Sequence, residues 1–269
     1  MVIMFVAIAL LLIIVISYIM RPNKTLTSIS DGKTMQTVKS EDLEGSGSGS
    51  TTSNFTYSIW FYVDDWNYRY GEPKLLFARS GKTAPDTGSK NGEDSTPSSF
   101  ESNSDSNSES IDPSSLGGPP EPSPAVIFGA IENSMNIMLT CYNSTMASDT
   151  GVIHNCTVPN IPLQKWTNLL LSVYGRALDV YIDGKLVKTC MLPGVPKVSS
   201  TLPVIITPAG GFSGWTSAFQ YWNDSTNPQD AWNIYKKGYG ENMLSSIMSK
   251  YSIKISVMDG DTESNSVTF

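Results

Sequence analysis

Hydrophobic and polar side chains alternate with a period of two residues over much of this chain. In residues 55–63 (FTYSIWFYV) every odd position is apolar or aromatic, which predicts a strand with one fully buried face. Further strand-like runs occur at 74–78, 125–131, 136–142, 169–174, 178–182, 185–190, 203–207 and 215–222. Many short strands separated by turn residues predict an all-β, antiparallel sandwich.

The clearest local signal is a hairpin turn. Residues 178–188 (LDVYIDGKLVK) place Asp183 and Gly184 between two alternating runs. A two-residue hairpin loop needs positive φ at both central positions, which Asp and Gly tolerate well. We therefore predict a tight structural turn at Asp183 and Gly184.

One short helix is well marked within the same region. Asn227 is a suitable N-cap, Pro228 suits the first helical position, and Gly238 is a suitable C-terminal stop. Residues 241–269 predict a tail with a short amphipathic helix followed by strand-like alternation.

Residues 1–20 form an uncharged apolar run, and about 20 such residues span a hydrocarbon core of about 30 Å. A cleaved secretory signal is the alternative, but nothing basic precedes the run and no small-x-small site follows it. We predict a retained transmembrane helix that binds the lipid bilayer.

Four basic residues follow the span, so the positive-inside rule predicts a cytoplasm-facing C-terminal domain. Those residues are Arg21, Lys24, Lys33 and Lys39.

Five Asn-x-Ser/Thr sequons point to the opposite orientation, because glycosylation is luminal. They begin at Asn23, Asn54, Asn143, Asn155 and Asn223. In a chain rich in Ser, Thr and Asn such sequons also arise by chance, so the basic residues carry more weight.

Two low-complexity stretches divide the rest of the chain. Residues 21–53 are polar and contain GSGSGS, which predicts a flexible tether before a domain at 54–240. Residues 80–124 hold eight acids against two bases, and so carry −6 of the net charge of −7. This insertion is too poor in apolar residues to be ordered by burial. An interaction arm and a tolerated insertion between strands are the two interpretations.

Composition excludes several function classes. A net charge of −7 gives no surplus of Lys and Arg for phosphates, so no nucleic acid is expected as a partner. Three cysteines without CxxC spacing and a single histidine fall short of a zinc site. No phosphate-binding loop, dinucleotide fingerprint or Gly-x-Ser-x-Gly is present, so no cofactor is expected.

Residues 160–166 (NIPLQKW), followed by the hairpin at 178–187, resemble the laminin-G-like domains of the concanavalin-A-like lectin/glucanase superfamily. Residues 210–214 (GGFSG), the next aromatic strand and the helix resemble the end of the same domain. The resemblance covers about residues 54–240 and implies an antiparallel jelly-roll sandwich. The arrangement of Cys156, Cys190 and residues 192–196 (LPGVP) is similar to versions encoded by large double-stranded DNA viruses.

In those viral versions the domain often follows an N-terminal hydrophobic anchor. The resemblance therefore implies a virion component at the internal membrane, such as a minor capsid protein. It also places Cys156 and Cys190 at one edge of the sandwich, which implies a disulfide between them and a free Cys141. Spacing alone leaves the Cys141–Cys156 pairing open. A disulfide requires an oxidising setting, which a virus that encodes its own thiol oxidase would supply.

The sequence lacks the carboxylate pattern of a glucanase. Glucanases on this fold use paired carboxylates on one strand, and no such triplet occurs here. Asp64 and Asp65 are adjacent and point to opposite faces of an extended strand, while Asp179 and Asp183 belong to the hairpin. Asp224 alone is a weak candidate for calcium, so we expect neither an enzyme nor a metal site.

The six tryptophans are expected mainly in the core. Trp66 and Tyr68 lie in a predicted loop and are the candidates for contact with a ligand. The sequence as a whole favours a non-enzymatic, membrane-anchored structural or binding module that contacts other proteins, such as capsid components. The alternative is a lectin-like surface protein that binds a glycan.

Overall fold

The computed structural model describes residues 25–43, 53–80, 119, 121–142, 151–199, 201–240, 254–259 and 262–268. Within these ranges no helix is long and apolar enough to cross a membrane. The predicted anchor at 1–20, the Gly/Ser stretch at 45–50, most of the acidic insertion and the predicted tail helix all lie outside them.

Two antiparallel sheets of six strands each form the main unit, which covers residues 26–239. Sheet A contains, in spatial order, β1 (Ser30–Asp31), β12 (Ser213–Trp222), β3 (Phe55–Asp65), β8 (Thr167–Tyr174), β9 (Ala177–Ile182) and β10 (Lys185–Met191). Sheet B contains β2 (Gln36–Val38), β11 (Val204–Ile206), β4 (Lys74–Arg79), β5 (Ala125–Phe128), β6 (Ser134–Cys141) and β7 (Val152–Pro159). The predicted all-β sandwich is therefore correct at the level of two antiparallel sheets.

The core lies between the sheets. Strand β3 has the buried face that its alternating sequence predicted. Its odd-numbered side chains from Phe55 to Val63 all belong to one buried cluster. Val126 and Phe128 of β5 belong to the same cluster from the opposite sheet. Ala125 and Ile127 alternate with them and belong to a separate buried cluster with Met138, as the period of two requires.

The predicted turn and helix are both present. Asp183 and Gly184 join β9 to β10 with φ values of 50° and 72°. Helix α1 (Pro228–Lys236) begins after Asn227, whose side-chain oxygen accepts a hydrogen bond from the Asp230 amide at 2.9 Å. Two buried residues of α1, Ala231 and Ile234, pack on the outer face of sheet A against Leu170 and Tyr181, and Trp222 packs against the same cluster.

The strand register defines two ends of the sandwich. The upper end lies at Asp65, which pairs with Ser213, and at the β9–β10 turn. The lower end lies at the β8–β9 turn, where Tyr174 pairs with Ala177. The chain approaches β1 from the lower end, because the Leu26 amide donates to the Phe219 carbonyl and β1 then runs antiparallel to β12.

Two predicted boundaries need correction. Residues 21–53 were expected to be a tether, but β1 and β2 lie within this range and extend both sheets, so the folded unit begins at Leu26. Strands of two or three residues contain too few positions to show alternation. The insertion was expected to extend to residue 124, but Ser123 and Pro124 exchange backbone hydrogen bonds with Arg79 at 2.8 Å.

Strand β7 was not predicted. Its inward positions include His154 and Cys156, which hide the apolar alternation. Outside the main unit, β13 (Lys254–Asp259) and β14 (Thr262–Thr268) form a two-stranded antiparallel hairpin. The strand-like alternation predicted within the tail at residues 241–269 overlaps these strands.

Candidate binding surface

The predicted ligand residues Trp66 and Tyr68 lie in the β3–β4 connection at the upper end. Trp66 is half-buried, its indole N–H donates to the Ile131 carbonyl at 3.3 Å, and its ring packs edge-on against Phe128 at 5.9 Å. Much of Trp66 is therefore used to cover the end of the core rather than to form an open platform.

Tyr68 connects this loop to the neighbouring β11–β12 loop. Its hydroxyl donates to the Gly210 carbonyl at 3.3 Å, and the Lys33 ammonium lies 4.7 Å from the ring centre. Arg69 hydrogen-bonds the Ala209 carbonyl and forms an ion pair with Glu72 at 2.7 Å. The loop is thus held by several polar contacts, and Trp66 and Tyr68 have different neighbours rather than a shared face.

Lys74 lies beneath Trp66 and is unusual for a lysine. The residue is 2% exposed, and its ammonium lies 5.2 Å from the Trp66 ring centre. In the described part of the chain this nitrogen has no hydrogen-bond partner. Burial, followed by the Arg69 charge, lowers the pKa of Lys74.

A row of four aromatic side chains on the outer face of sheet A was missed by the sequence prediction. In order along the row these are Trp215, Tyr62, Trp166 and Tyr239, and we call them the aromatic row. Consecutive ring centres are 5.5, 5.8 and 4.3 Å apart, which is normal for interacting aromatic pairs. The Trp166 and Tyr239 rings are stacked within 9° of parallel.

The backbone explains why the row forms. Tyr62 alternates with the core-facing residues of β3, so it points outward, and Trp215 is its cross-strand partner in β12. Trp166 immediately precedes β8 at the same end. The Tyr239 carbonyl accepts a hydrogen bond from the Ser217 hydroxyl at 2.5 Å, which fixes the chain after α1 against the sheet.

The row is only partly open to solvent. Trp215 is 42% exposed and Tyr239 is 38% exposed, whereas Tyr62 and Trp166 are half-buried. The neighbouring Trp60 is covered by Tyr235 of α1, with stacked rings 5.5 Å apart. Large aromatic side chains that are held by neighbours and still present a face to solvent are typical anchors of protein interfaces.

A disulfide links Cys156 and Cys190, with a Cα–Cα distance of 6.1 Å. It joins β7 and β10, which are the outermost strands of the two sheets on one side of the sandwich. Cys141 is a free, buried thiol whose pKa burial raises to about 11. The pairing implied by the viral resemblance is present, and the Cys141–Cys156 alternative is wrong.

Two acids considered in the sequence analysis, Asp179 and Asp183, have structural partners. Asp179 accepts from the Thr189 hydroxyl at 2.6 Å, and Asp183 accepts from the Asn168 amide at 2.9 Å. Asp183 also pairs with Lys165 at 2.7 Å, which raises the pKa of Lys165. Among the described residues no three His, Cys, Asp or Glu side chains are grouped closely enough to hold a metal ion.

Comparison with known proteins gives no family. No protein-family model and no curated protein match the chain. Among solved structures, it is similar to the botulinum neurotoxin serotype D binding domain, at 10% identity and a TM-score of 0.47, and to the serotype G binding domain, at 11% and 0.46. It is also similar to the binding domain of botulinum neurotoxin DC in complex with rat synaptotagmin II, at 8% and 0.45. Each comparison covers 78% of this chain and 46% of the other, so the chain spans less than half of each domain.

Proposed function

We propose that this chain is a non-enzymatic, membrane-anchored binding module that contacts another protein through the aromatic row. The observation that carries the proposal is the exposure of the row at the upper end of the sandwich. Its rings are held by one another, yet Trp215 remains 42% exposed and Tyr239 remains 38% exposed.

The row is suited to protein recognition because its members are already ordered. Trp166 stacks on Tyr239, and Tyr62 contacts both Trp166 and Trp215. Rigid aromatic side chains lose little conformational entropy on binding and commonly contribute a large share of interface energy. The contacts between the β3–β4 and β11–β12 loops stabilise the same end of the domain.

The non-enzymatic character is part of the proposal and is supported by the acids. Asp179 and Asp183 already accept hydrogen bonds within the hairpin region, and Asp65 accepts from the Asn67 amide at 2.9 Å. Paired carboxylates that bind to each side of a glycosidic bond need room for the sugar between them. The hydrogen bonds of these three carboxylates instead give each of them a local structural role.

The proposed orientation places the sandwich on the cytoplasmic side. The basic residues after the apolar run support it, and so does Asn155. Its side-chain nitrogen donates to Asn136 at 3.0 Å and Thr157 at 3.1 Å within sheet B, so this sequon is poorly placed for modification. The Cys156–Cys190 disulfide then requires a dedicated oxidant.

The finer form of the proposal is a minor capsid or membrane-associated protein of a large DNA virus. It is supported by the laminin-G-like motifs at residues 160–166 and 178–187 and by the cysteine arrangement, all of which are features of the sequence. A capsid-facing domain on an internal virion membrane would be compatible with both the cytoplasmic side and the disulfide.

A glycan is the second candidate ligand. The partly exposed rings of Trp215 and Tyr239 favour it, because flat aromatic faces pack against the apolar faces of pyranose rings. Trp215→Ala is a suitable variant for both candidates, since the side chain is partly exposed and its loss should leave the fold intact.

Site-specific photocrosslinking in membranes from the native source tests the two candidates. A photoreactive residue at Trp215 should form a crosslink to a specific protein. The matched control is Leu186, which is 51% exposed on the edge strand β10 and should form none. Glycan-array binding that is lost in Trp215→Ala, without a protein crosslink, would favour the second candidate. Absence of both results would contradict the proposed function.

A further inference from the structure

The aromatic row carries hydrogen-bonding groups that the fold does not use. In the described part of the chain, its two indole N–H groups and two phenol hydroxyls have no hydrogen-bond partner. Trp215 and Tyr239 are exposed residues, and the polar atoms of the half-buried Tyr62 and Trp166 are accessible as well. An indole N–H can only donate. The row therefore offers donors beside apolar rings, and a complementary ligand must supply acceptors.

The spacing of the rings suits an extended chain laid along them. The ring centre of Tyr62 lies 5.5 Å from that of Trp215 and 5.8 Å from that of Trp166, with interplanar angles of 63° and 59°. A polyproline II helix has three residues per turn and advances about 6.2 Å for every two residues. Residues i and i+2 of such a helix lie on the two edges of one flat side, so they can contact successive rings.

A proline-rich segment also supplies the acceptors. A polyproline II helix has no internal hydrogen bonds, so its carbonyls are available, and proline has no N–H that needs a partner. Modules that recognise this conformation bind it on aromatic-lined surfaces. Because the segment is already extended before it binds, it loses little conformational entropy.

Other peptide conformations match the row less well. The carbonyls of an α-helix accept hydrogen bonds within the helix, so few of them are available to the donors of the row. A β-strand is recognised by the backbone of an open sheet edge. The row lies on the outer face of sheet A instead, and the nearby side of β12 is paired with β1.

The charges beside the row predict a basic residue at one end of the ligand. Asp31 of β1 pairs directly with Trp215, so its side chain projects to the same face of the sheet. Asp31 is exposed, and one of its oxygens accepts a hydrogen bond from the Lys33 amide at 2.8 Å. Neither ion pair of the described residues includes Asp31, whereas Lys165, next to Trp166, is already paired with Asp183. A cation placed here would meet the Asp31 carboxylate and the face of an indole ring.

We propose that the aromatic row binds a proline-rich segment in the polyproline II conformation, with a basic residue of the segment next to Asp31. The proposal rests on the protein-binding function proposed for the row and names the chemistry of the partner. Because Asp31 lies at only one end of the row, the basic residue fixes the direction in which the segment binds.

Selection from a phage library of random ten-residue peptides on the full chain in detergent micelles tests the proposal. We expect enrichment of proline-rich peptides with Arg or Lys at one end. A selected peptide, followed by fluorescence anisotropy, should bind Trp215→Ala at least about tenfold more weakly. The matched control is Tyr174→Ala, which removes a side chain that is 69% exposed at the lower end of sheet A and should leave binding unchanged. Circular dichroism checks that both variants fold.

Asp31→Lys tests the direction of binding. The selected peptide should bind this variant about fivefold more weakly, because an exposed ion pair is replaced by repulsion. The same peptide with its terminal basic residue replaced by glutamate should bind Asp31→Lys more tightly than it binds the wild type. Equal weakening of both peptides would contradict the placement of the basic residue next to Asp31.

Three results would contradict the proline-rich ligand: enriched peptides that lack proline, no enriched peptide, or equal binding to Trp215→Ala and the wild type. If a photoreactive residue at position 215 still crosslinks a specific protein, the protein-binding function stands and only the class of ligand is wrong. If the selection and the crosslinking both fail, the protein-binding function is wrong as well.

Discussion

The two ends of the sandwich are built differently. Connections at the upper end are short, at residues 66–73, 129–133, 160–166, 183–184 and 207–212. They are joined to one another, for example by the Thr207 hydroxyl to the Thr34 carbonyl at 2.7 Å and by Asn133 to the Ile161 carbonyl at 2.8 Å. This end presents the aromatic row.

The lower end has the long connections, at residues 39–54, 80–124, 142–151 and 192–203. At this end the buried Arg79 connects the two sheets. It donates to the Tyr57 hydroxyl at 3.1 Å and to the Leu202 carbonyl at 3.0 Å. Long surface connections are tolerated at small entropic cost, whereas a recognition surface needs fixed side chains. The difference supports the proposal that the aromatic row at the upper end is the binding surface.

The largest loss of stability is expected from a substitution in the β9–β10 turn at the upper end. Gly184→Val should lower the free energy of unfolding by roughly 3–5 kcal/mol, because a β-branched residue at φ 72° is strained and its Cβ would lie 2.9 Å from Trp232 of α1. Gly175→Val is the matched control in the lower turn, where φ is 57° and no atom lies within 4 Å of the added Cβ. It should cost only about 1–3 kcal/mol of strain. Urea unfolding measures both, and equal losses would contradict the steric role of α1.

Removing the disulfide should have the next largest effect. Replacing Cys156 and Cys190 together by Ala should destabilise the sandwich by roughly 3–4 kcal/mol, as the chain-entropy model gives for a loop of 34 residues. Hydrogen exchange should rise more at residues 192–203, which follow β10, than at residues 160–166 of the upper end. Cys141→Ala controls for loss of a buried sulfur and should leave this difference between the ends unchanged.

Two deletions separate the insertion from the fold. Joining residue 80 to residue 119 through a short Gly/Ser turn should shift the melting temperature by only a few degrees. Extending the deletion through residue 124 removes three backbone hydrogen bonds that Pro122, Ser123 and Pro124 make with Thr140 and Arg79. Each hydrogen bond contributes about 1 kcal/mol, and each kcal/mol of lost stability lowers the melting temperature by roughly 2–4 °C. The protein with the longer deletion should therefore have a clearly lower melting temperature. Calorimetry decides, and equal melting temperatures would show that residues 122–124 add no stability.

The smallest expected effect is on the pH dependence of folding stability. Burial, and then the Lys188 charge, lowers the pKa of His154. The folded chain therefore holds this imidazole neutral, the unfolded chain binds the proton more readily, and stability falls as the pH drops below about 6.5. His154→Gln should remove that component, since the chain has no other histidine. Unfolding curves at pH 7.5 and 5.5 measure it, and an unchanged slope in the variant would contradict the assignment.

Much of the fold was predictable because its signals are local. The alternation in β3, the turn at Asp183 and Gly184, and the cap at Asn227 each depend on a few neighbouring residues. Strands β1 and β2 were missed because their pairing partners, β12 and β11, are distant in sequence. Ser123 and Pro124 resemble the low-complexity stretch before them, and only their pairing with Arg79 distinguishes them.

The candidate site was less predictable, because exposure depends on what covers each side chain. The outward position of Trp60 and Tyr62 on β3 could have been noticed from the same alternation that identified the core. Trp60 is covered by Tyr235 of α1, while Trp215 stays partly open, and this outcome follows from the tertiary path of α1. Trp66 was expected to be exposed because it lies in a loop, but it packs against Phe128.

Location in the native assembly tests the central claim most directly. Electron cryotomography of native membranes, with averaging of the sandwich, would show what lies against the aromatic row. The account predicts ordered protein density against Trp215 and Tyr239. No protein density there would contradict it.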